Sequence, residues 1–290
     1  MTFQTALAEA AGRVQACLAT ELQGYGNEPV IAAMRYAVTG GKGLRGLLVM
    51  ESARLHDVPE SQSVWAAAAV EAVHAYSLVH DDLPAMDDDD LRRGQPTVHV
   101  RWDEATAILA GDALQTLAFD LLAREGCAPD PARRVALIAT LAEAAGARGM
   151  VLGQAQDIAA ETAAAPLTLA QITELQANKT GALIRWSAEA GARLAGADPA
   201  PLSAYATALG LAFQIADDIL DVEGDAETAG KRLRKDEDAG KATFVSLLGL
   251  DGAKARAAAL VEEAEEALSP FGATAGTLRA AARFVIAREK

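Results

Sequence analysis

Two acidic clusters carry the chemistry this chain is equipped for. The first lies within Tyr76-Ser77-Leu78-Val79-His80-Asp81-Asp82-Leu83-Pro84-Ala85-Met86-Asp87-Asp88-Asp89-Asp90-Leu91-Arg92-Arg93-Gly94, where an apolar helical run reaches two adjacent carboxylates, breaks at Pro84 and continues into further carboxylates and paired arginines. Like charges about 4 Å apart repel by roughly 4 kcal/mol at an effective dielectric near 20, so converging aspartates call for cations. Mg²⁺ fits best, because it is usually held by one or two carboxylates together with substrate phosphates. The arginines beyond would then fork onto a phosphate. A solvated acidic face has the same composition, but a second cluster lies far downstream in Phe213-Gln214-Ile215-Ala216-Asp217-Asp218-Ile219-Leu220-Asp221. On a helix Asp217 and Asp221 share a face about 6 Å apart, in apolar sequence where unpaired carboxylates are costly. Two such clusters could hold a diphosphate through several metal ions. Asp81 and Asp87 would point about 120° apart on a continuous helix, so they converge only if the helix ends between them, and Pro84 provides that end.

Other polar groups are compatible with an anionic ligand without requiring one. Gly40-Gly41-Lys42-Gly43-Leu44-Arg45-Gly46 joins exposed backbone N–H groups to two cations ahead of a helix, though a plain turn has the same make-up. His74 and His80 fall on the apolar stripes of a helix predicted over 64–83, where a satisfied core histidine is as natural as a ligand. Gly153-Gln154-Ala155-Gln156-Asp157 and Asn178-Lys179-Thr180-Gly181 place amides, a carboxylate, a lysine and a hydroxyl inside apolar stretches, where each needs a partner. Lys179 either meets a phosphate or snorkels to the surface. The charged run Lys231-Arg232-Leu233-Arg234-Lys235-Asp236, followed by Gly240-Lys241, reads as a flap over an anion or as a solvated loop, and the tail from Phe284 to Lys290 as a possible cover for a pocket mouth.

The elements that must position these residues are helices. Alanine is abundant, strict alternation is absent, and the prolines separate long helical patterns, which predicts an all-α bundle of about ten or more helices in a single domain over 1–290. With 51% hydrophobic residues in 290, the chain can bury a large core. Forty acidic against 26 basic residues, a formal charge of −14, argue against nucleic acid and anionic membrane surfaces as partners. Cys17 and Cys127 are too few for a disulfide framework or a zinc site, which suits a reducing cytoplasm. No opening signal pattern and no uninterrupted apolar run of membrane-spanning length is expected, so a hydrophobic ligand would be housed inside the protein.

Taken together, Gly41-Lys42-Gly43-Leu44-Arg45, Asp81-Asp82 with Asp87 and Arg92-Arg93-Gly94, Gly153-Gln154 with Asp157, Lys179-Thr180, and Phe213-Gln214 with Asp217, Asp218 and Asp221 resemble the trans-prenyl diphosphate synthase family in order and spacing, most closely its bacterial farnesyl-producing members, over essentially the whole chain. The resemblance implies an isoprenoid-synthase bundle around a central elongation cavity, a homodimer, and condensation of isopentenyl diphosphate with dimethylallyl and then geranyl diphosphate to give (2E,6E)-farnesyl diphosphate. It implies three Mg²⁺ ions bound chiefly by Asp81, Asp87 and Asp217, supported by Asp82, Asp218 and Asp221. Arg92, Lys179, Gln214 and Lys241 would hold the allylic diphosphate, with Gln154 and Lys231 also at the substrate and Thr180 beside the allylic cation. Lys42, Arg45, His74 and Arg93 would hold isopentenyl diphosphate. Tyr76 and Ser77, roughly 6 to 7 Å below Asp81 along the helix, match the farnesyl-producing pattern at the cavity floor, so Tyr76→Ala should lengthen the product and Ser77→Phe shorten it. Arg234-Lys235 departs from the family's small residues before the loop aspartate, which puts the role of Lys231 in question. Geranylgeranyl or geranyl diphosphate synthase and a non-catalytic regulatory subunit are the alternatives; a terpene cyclase or head-to-head synthase would have no use for the Lys42/Arg45 pair, and a plain cation-binding bundle none for the arginines and lysines.

Overall fold

Apolar residues one helical turn apart, bounded by caps and prolines, build the chain, as the computed structural model describes it over residues 2–163, 165–223 and 242–287. Helix α1 (Phe3–Gln23) starts where the Thr2 side chain accepts from the Thr5 N–H and buries Ala6, Ala10, Val14, Leu18 and Leu22 along one stripe. Pro29 opens α2 (Pro29–Ala37). Helix α3 (Leu44–Leu55) follows Gly43, whose φ of 66° turns the glycine-rich segment into the helix. Helix α4 (Glu60–Asp81) begins a turn earlier than the apolar pattern alone predicts, because Pro59 can stand just ahead of a first turn, and it ends at Asp81. It buries Ala66–Val70, Ala72, Val73, Ala75, Tyr76 and Val79; with so many alanines, α3 and α6 pack closely on it.

A two-residue hairpin, β1 (Leu91–Arg92) and β2 (Gln95–Pro96), pairs antiparallel with Arg92 opposite Gln95. Helices α5 (Val98–Arg101), α6 (Glu104–Ala123, capped by Asp103) and α7 (Pro131–Ala145) follow. By length and composition, the stretches Glu104–Ala123 and Pro131–Glu161 reach what a membrane crossing needs. Helix α6 spends its apolar side on Ala107, Ala110, Leu114, Leu117, Ala118, Leu121 and Leu122, all buried within the protein.

Then come α8 (Met150–Glu161), α9 (Leu169–Gln176, opened by a Thr168/Gln171 capping box), a π turn at Ala177–Gly181, α10 (Ala182–Ala195) and α11 (Ala200–Glu223). The chain ends with α12 (Phe244–Leu248), α13 (Leu250–Ala267), a 3₁₀ segment (Ser269–Ala275) and α14 (Gly276–Ala287). The fold is all-α, as expected.

The chain divides into two compact units, Met1–Ile138 with Arg193–Ala197, and Ala139–Ala192 with Asp198–Lys290. The first is built around α4. In the second, α11 buries Leu202, Tyr205, Ala206, Leu209, Ala212 and Ile215, and the Tyr205 hydroxyl donates to the Leu278 carbonyl at 2.8 Å, tying α14 to it. That is where the tail expected to cover a pocket packs, through Leu278, Ala281, Ala282 and Val285; Arg288, Glu289 and Lys290 lie outside the described residues.

Candidate active site

In the first unit, α4 delivers the leading aspartates and then stops. The Asp87 N–H donates to the Asp81 carbonyl at 2.8 Å, and the Leu83 N–H to the His80 carbonyl at 3.2 Å. The turn therefore folds Asp87 back to the end of the helix. Asp81 is half-buried and Asp87 exposed. Asp82 differs: its side chain is 4% exposed and meets Arg92, 27% exposed, with Nε at 2.7 Å and Nη2 at 2.5 Å from Oδ1. Burial lifts the Asp82 carboxyl above its usual range and Arg92 pulls it partly back. Asp82 thus braces the hairpin that carries Arg92, while Asp81 and Asp87 stand on the turn itself.

The hairpin tip places the second arginine. Arg93 and Gly94 both have positive φ, 54° and 73°, the signature of a tight type I′ turn. Arg93 lies against Gly41, where an added Cβ would come within 2.8 Å of its guanidinium, and Nη1 reaches the Thr39 carbonyl at 3.5 Å. A cavity there is lined by Gly40, Gly41, Gly43, Glu71, His74 and Arg93. Arg45, on the first turn of α3, has a buried Nε without a hydrogen-bond partner. Burial lowers its pKa against the pull of Glu71, and burial with the nearby arginines holds His74 well below its ordinary value. His74 is therefore neutral at pH 7, a hydrogen-bonding group among cations. Lys42 is exposed on the same loop. Glu71, which accepts from the Gly46 N–H at 2.9 Å, was not among the expected site residues. Its signal was a lone carboxylate inside the apolar run from Ala66 to Ala75.

In the second unit, Gly153 of α8 lies so close to the π turn that an added Cβ would sit 2.1 Å from the Lys179 backbone nitrogen. Across that contact Lys179 pairs with Asp157 at 2.8 Å, and the Asn178 amide donates to Gln156 at 3.0 Å. The Gln214 amide donates to Gln176 at 2.6 Å. The Gln154 Nε2 is buried without a partner. Thr180 is half-buried on the same turn. A π turn opens the regular ladder and is frequent at functional sites. Asp217 is exposed on α11; Asp218 accepts from the Phe244 N–H at 2.6 Å, and Asp221 stands one turn on, half-buried. Asp157 is singled out by the sequence only as the carboxylate that closes the Gly153-Gln154 motif; its partner, Lys179, comes from the structure. Lys231, Lys241 and Arg234-Lys235-Asp236 lie outside the described residues.

Among the described residues no group of three or more His, Cys, Asp or Glu side chains is gathered as a ready-made metal cage. Within each unit, Asp81 and Asp87 in the first and Asp217 in the second, the donors are hard carboxylate oxygens with some exposure. They fit an ion that keeps much of its shell for water and phosphate, as Mg²⁺ does.

Residues 27–270 match the family model for polyprenyl synthetase. The chain belongs to the polyprenyl synthetase family. The farnesyl diphosphate synthase of Escherichia coli (strain K12) is 47% identical over 274 residues, 91% of each chain, and that of Haemophilus influenzae 43% over 301 aligned positions, 99% of each. Among solved structures of similar proteins, the apo FPP/GFPP synthase of Zymomonas mobilis superposes with a TM-score of 0.90 at 46% identity over 98% of both chains. A geranyltransferase from Legionella pneumophila gives 0.88 at 33% identity, over 99% of this polyprenyl synthetase and 97% of its own chain.

Proposed function

We propose that this polyprenyl synthetase is a cytoplasmic farnesyl diphosphate synthase, working as a homodimer, whose two units form one catalytic domain. The span of the family match across both units supports the last point. The observation that carries the reading is the pairing, within one unit, of the Asp81–Asp87 turn with a separate cationic pocket at Arg45, His74 and Arg93. One diphosphate needs only one such place; two substrates that both carry a diphosphate need two.

On this reading Asp81, Asp87 and Asp217 hold the magnesium ions, three by the family's pattern, with Asp82, Asp218 and Asp221 in support. When bound, Mg²⁺ neutralises the allylic diphosphate and stabilises it as a leaving group. Arg92, Lys179, Gln214 and Lys241 grip the same diphosphate, with Gln154 and Lys231 beside it. The C1–O bond breaks with its electron pair leaving on the diphosphate. Thr180 and the carbonyls of the π turn present dipoles to the allylic cation, an electrostatic contribution fixed in advance. Lys42, Arg45, His74 and Arg93 hold isopentenyl diphosphate so that its double bond attacks C1. The proton then lost from C2 passes to the released diphosphate. Tyr76 and Ser77 end the elongation cavity.

The test is incubation with Mg²⁺, isopentenyl diphosphate and dimethylallyl diphosphate, with products separated by length. A dominant fifteen-carbon product is expected. A ten- or twenty-carbon product would keep the chemistry and move the floor away from Tyr76, and no condensation at all would favour the regulatory subunit.

A further inference from the structure

We propose that His80 is a positioning residue that fixes the attitude of the Tyr76 ring and the height of the Asp81 turn together, so that it takes part in setting product length. The inference rests on the prenyltransferase reading above. Three contacts converge on this one side chain. Tyr76 and His80 lie one turn apart on the same face of α4, with ring centroids 5.8 Å apart and planes at 73°, the edge-to-face arrangement aromatic pairs favour. The His80 Nε2 is 3.0 Å from the Ile108 carbonyl of α6. A carbonyl can only accept, so Nε2 carries the hydrogen. The third contact is Gly111, where an added Cβ would sit 2.0 Å from Nε2 and 2.4 Å from Cδ2. The Nε2 edge of the imidazole therefore closes on a stretch of α6 backbone that carries no side chain at Gly111.

A ring that merely filled space would need neither the donor nor the clearing; phenylalanine would pack as well. The hydrogen bond also reaches a carbonyl in the second turn of α6, where a carbonyl already has an intrahelical acceptor role, so it is not there to satisfy an orphan. Its effect is to lock α4 against α6 in register at the last turn before Asp81. The backbone of His80 completes the link, since its carbonyl accepts the Leu83 N–H in the turn that bears the aspartates. One residue thus touches the floor below it and the metal-binding turn above it.

The experiment uses the full chain in five forms: wild type, His80→Ala, His80→Phe, Gly111→Ala, and Gly111→Ala combined with His80→Ala. Product length is read with geranyl diphosphate as the allylic substrate. Separately, the Mg²⁺ concentration giving half the thermal shift with inorganic pyrophosphate is read without turnover. His80→Ala should raise the ratio of twenty- to fifteen-carbon product by about tenfold, the low end of what a lost pocket contact does to discrimination. It should also raise the Mg²⁺ requirement. His80→Phe keeps the ring wall and loses the donor, so it should hold product length and shift only the Mg²⁺ requirement. Gly111→Ala should reproduce the product shift of His80→Ala, and the two together should add nothing further, the mark of coupled sites. If His80→Ala and His80→Phe leave both product ratio and Mg²⁺ requirement unchanged, the inference is overturned and the ring is only packing. A wild-type chain that condenses nothing overturns this inference and the proposed function alike.

Discussion

Adjacent aspartates in the first motif should fail in different ways. On the proposed reading Asp81→Ala removes a group that would hold the metal, and Asp217→Ala does the same in the second motif, so each should lower turnover by ~10²–10³, the usual effect of losing one preorganised electrostatic group, with the melting temperature unchanged. Asp82→Ala leaves the partly buried Arg92 guanidinium with only the looser Asp89 contact at 3.7 Å, which should cost up to about 3 kcal/mol of stability, read by urea denaturation. His74 supplies a pH test. Its pKa is held below the ordinary value in the fold, so the unfolded chain takes up a proton first as pH falls. Stability is intact above about pH 6.5 and declines below it, by up to about 1.4 kcal/mol per pH unit for this one group; His74→Gln should lose that part of the slope. The charged residues proposed to bind are legible in sequence because their types and spacing suggest the chemistry. Glu71 and Asp157 are less so, since each acts on a residue far away in sequence, Gly46 on one side and Lys179 on the other.

Among elements, the contact between α8 and the π turn is the most demanding. Gly153→Ala would drive a methyl group into backbone atoms of Lys179, 2.1 and 2.4 Å away, and backbone yields less readily than a side chain. The change should cost about 1–3 kcal/mol, as overpacking does, and lower turnover by shifting Lys179 and Thr180, both measurable on the purified variant. The helices themselves could be read from caps, prolines and apolar spacing, and the end of α4 from Pro84. The π turn could not, because Ala177-Asn178-Lys179-Thr180-Gly181 differs in no periodic way from ordinary helix. Helix α4 starts ahead of its apolar pattern because Glu60-Ser61-Gln62 carries no apolar signal; what makes those residues helical is Pro59 before them and the packing after them.

For the molecule as a whole, the proposed sharing of a Mg²⁺ shell between carboxylates and diphosphate predicts linkage between ion and anion. Mg²⁺ alone or pyrophosphate alone should shift the melting temperature little. Together, near a hundredfold over the dissociation constant, they should add about 2.7 kcal/mol of stability, and a chelator should abolish the gain. The all-α class and the absence of a disulfide framework followed from composition, and burial that pushes the Cys17 thiol up to about 11 and Cys127 to about 12 leaves neither thiol reactive at neutral pH. The division into two compact units had no counterpart in the sequence, since no linker composition marks Ile138 or Ala197. The hairpin at 91–96 has a consequence for how such chains can diverge. Exposed turns usually accept added residues at little cost. Here a single insertion between Arg92 and Gln95 would slip the pairing by one position and turn successive side chains to the opposite face, taking Arg92 off Asp82 and Arg93 off Gly41 in one event. Though it sits at the surface, this turn can change its residues far more easily than its length.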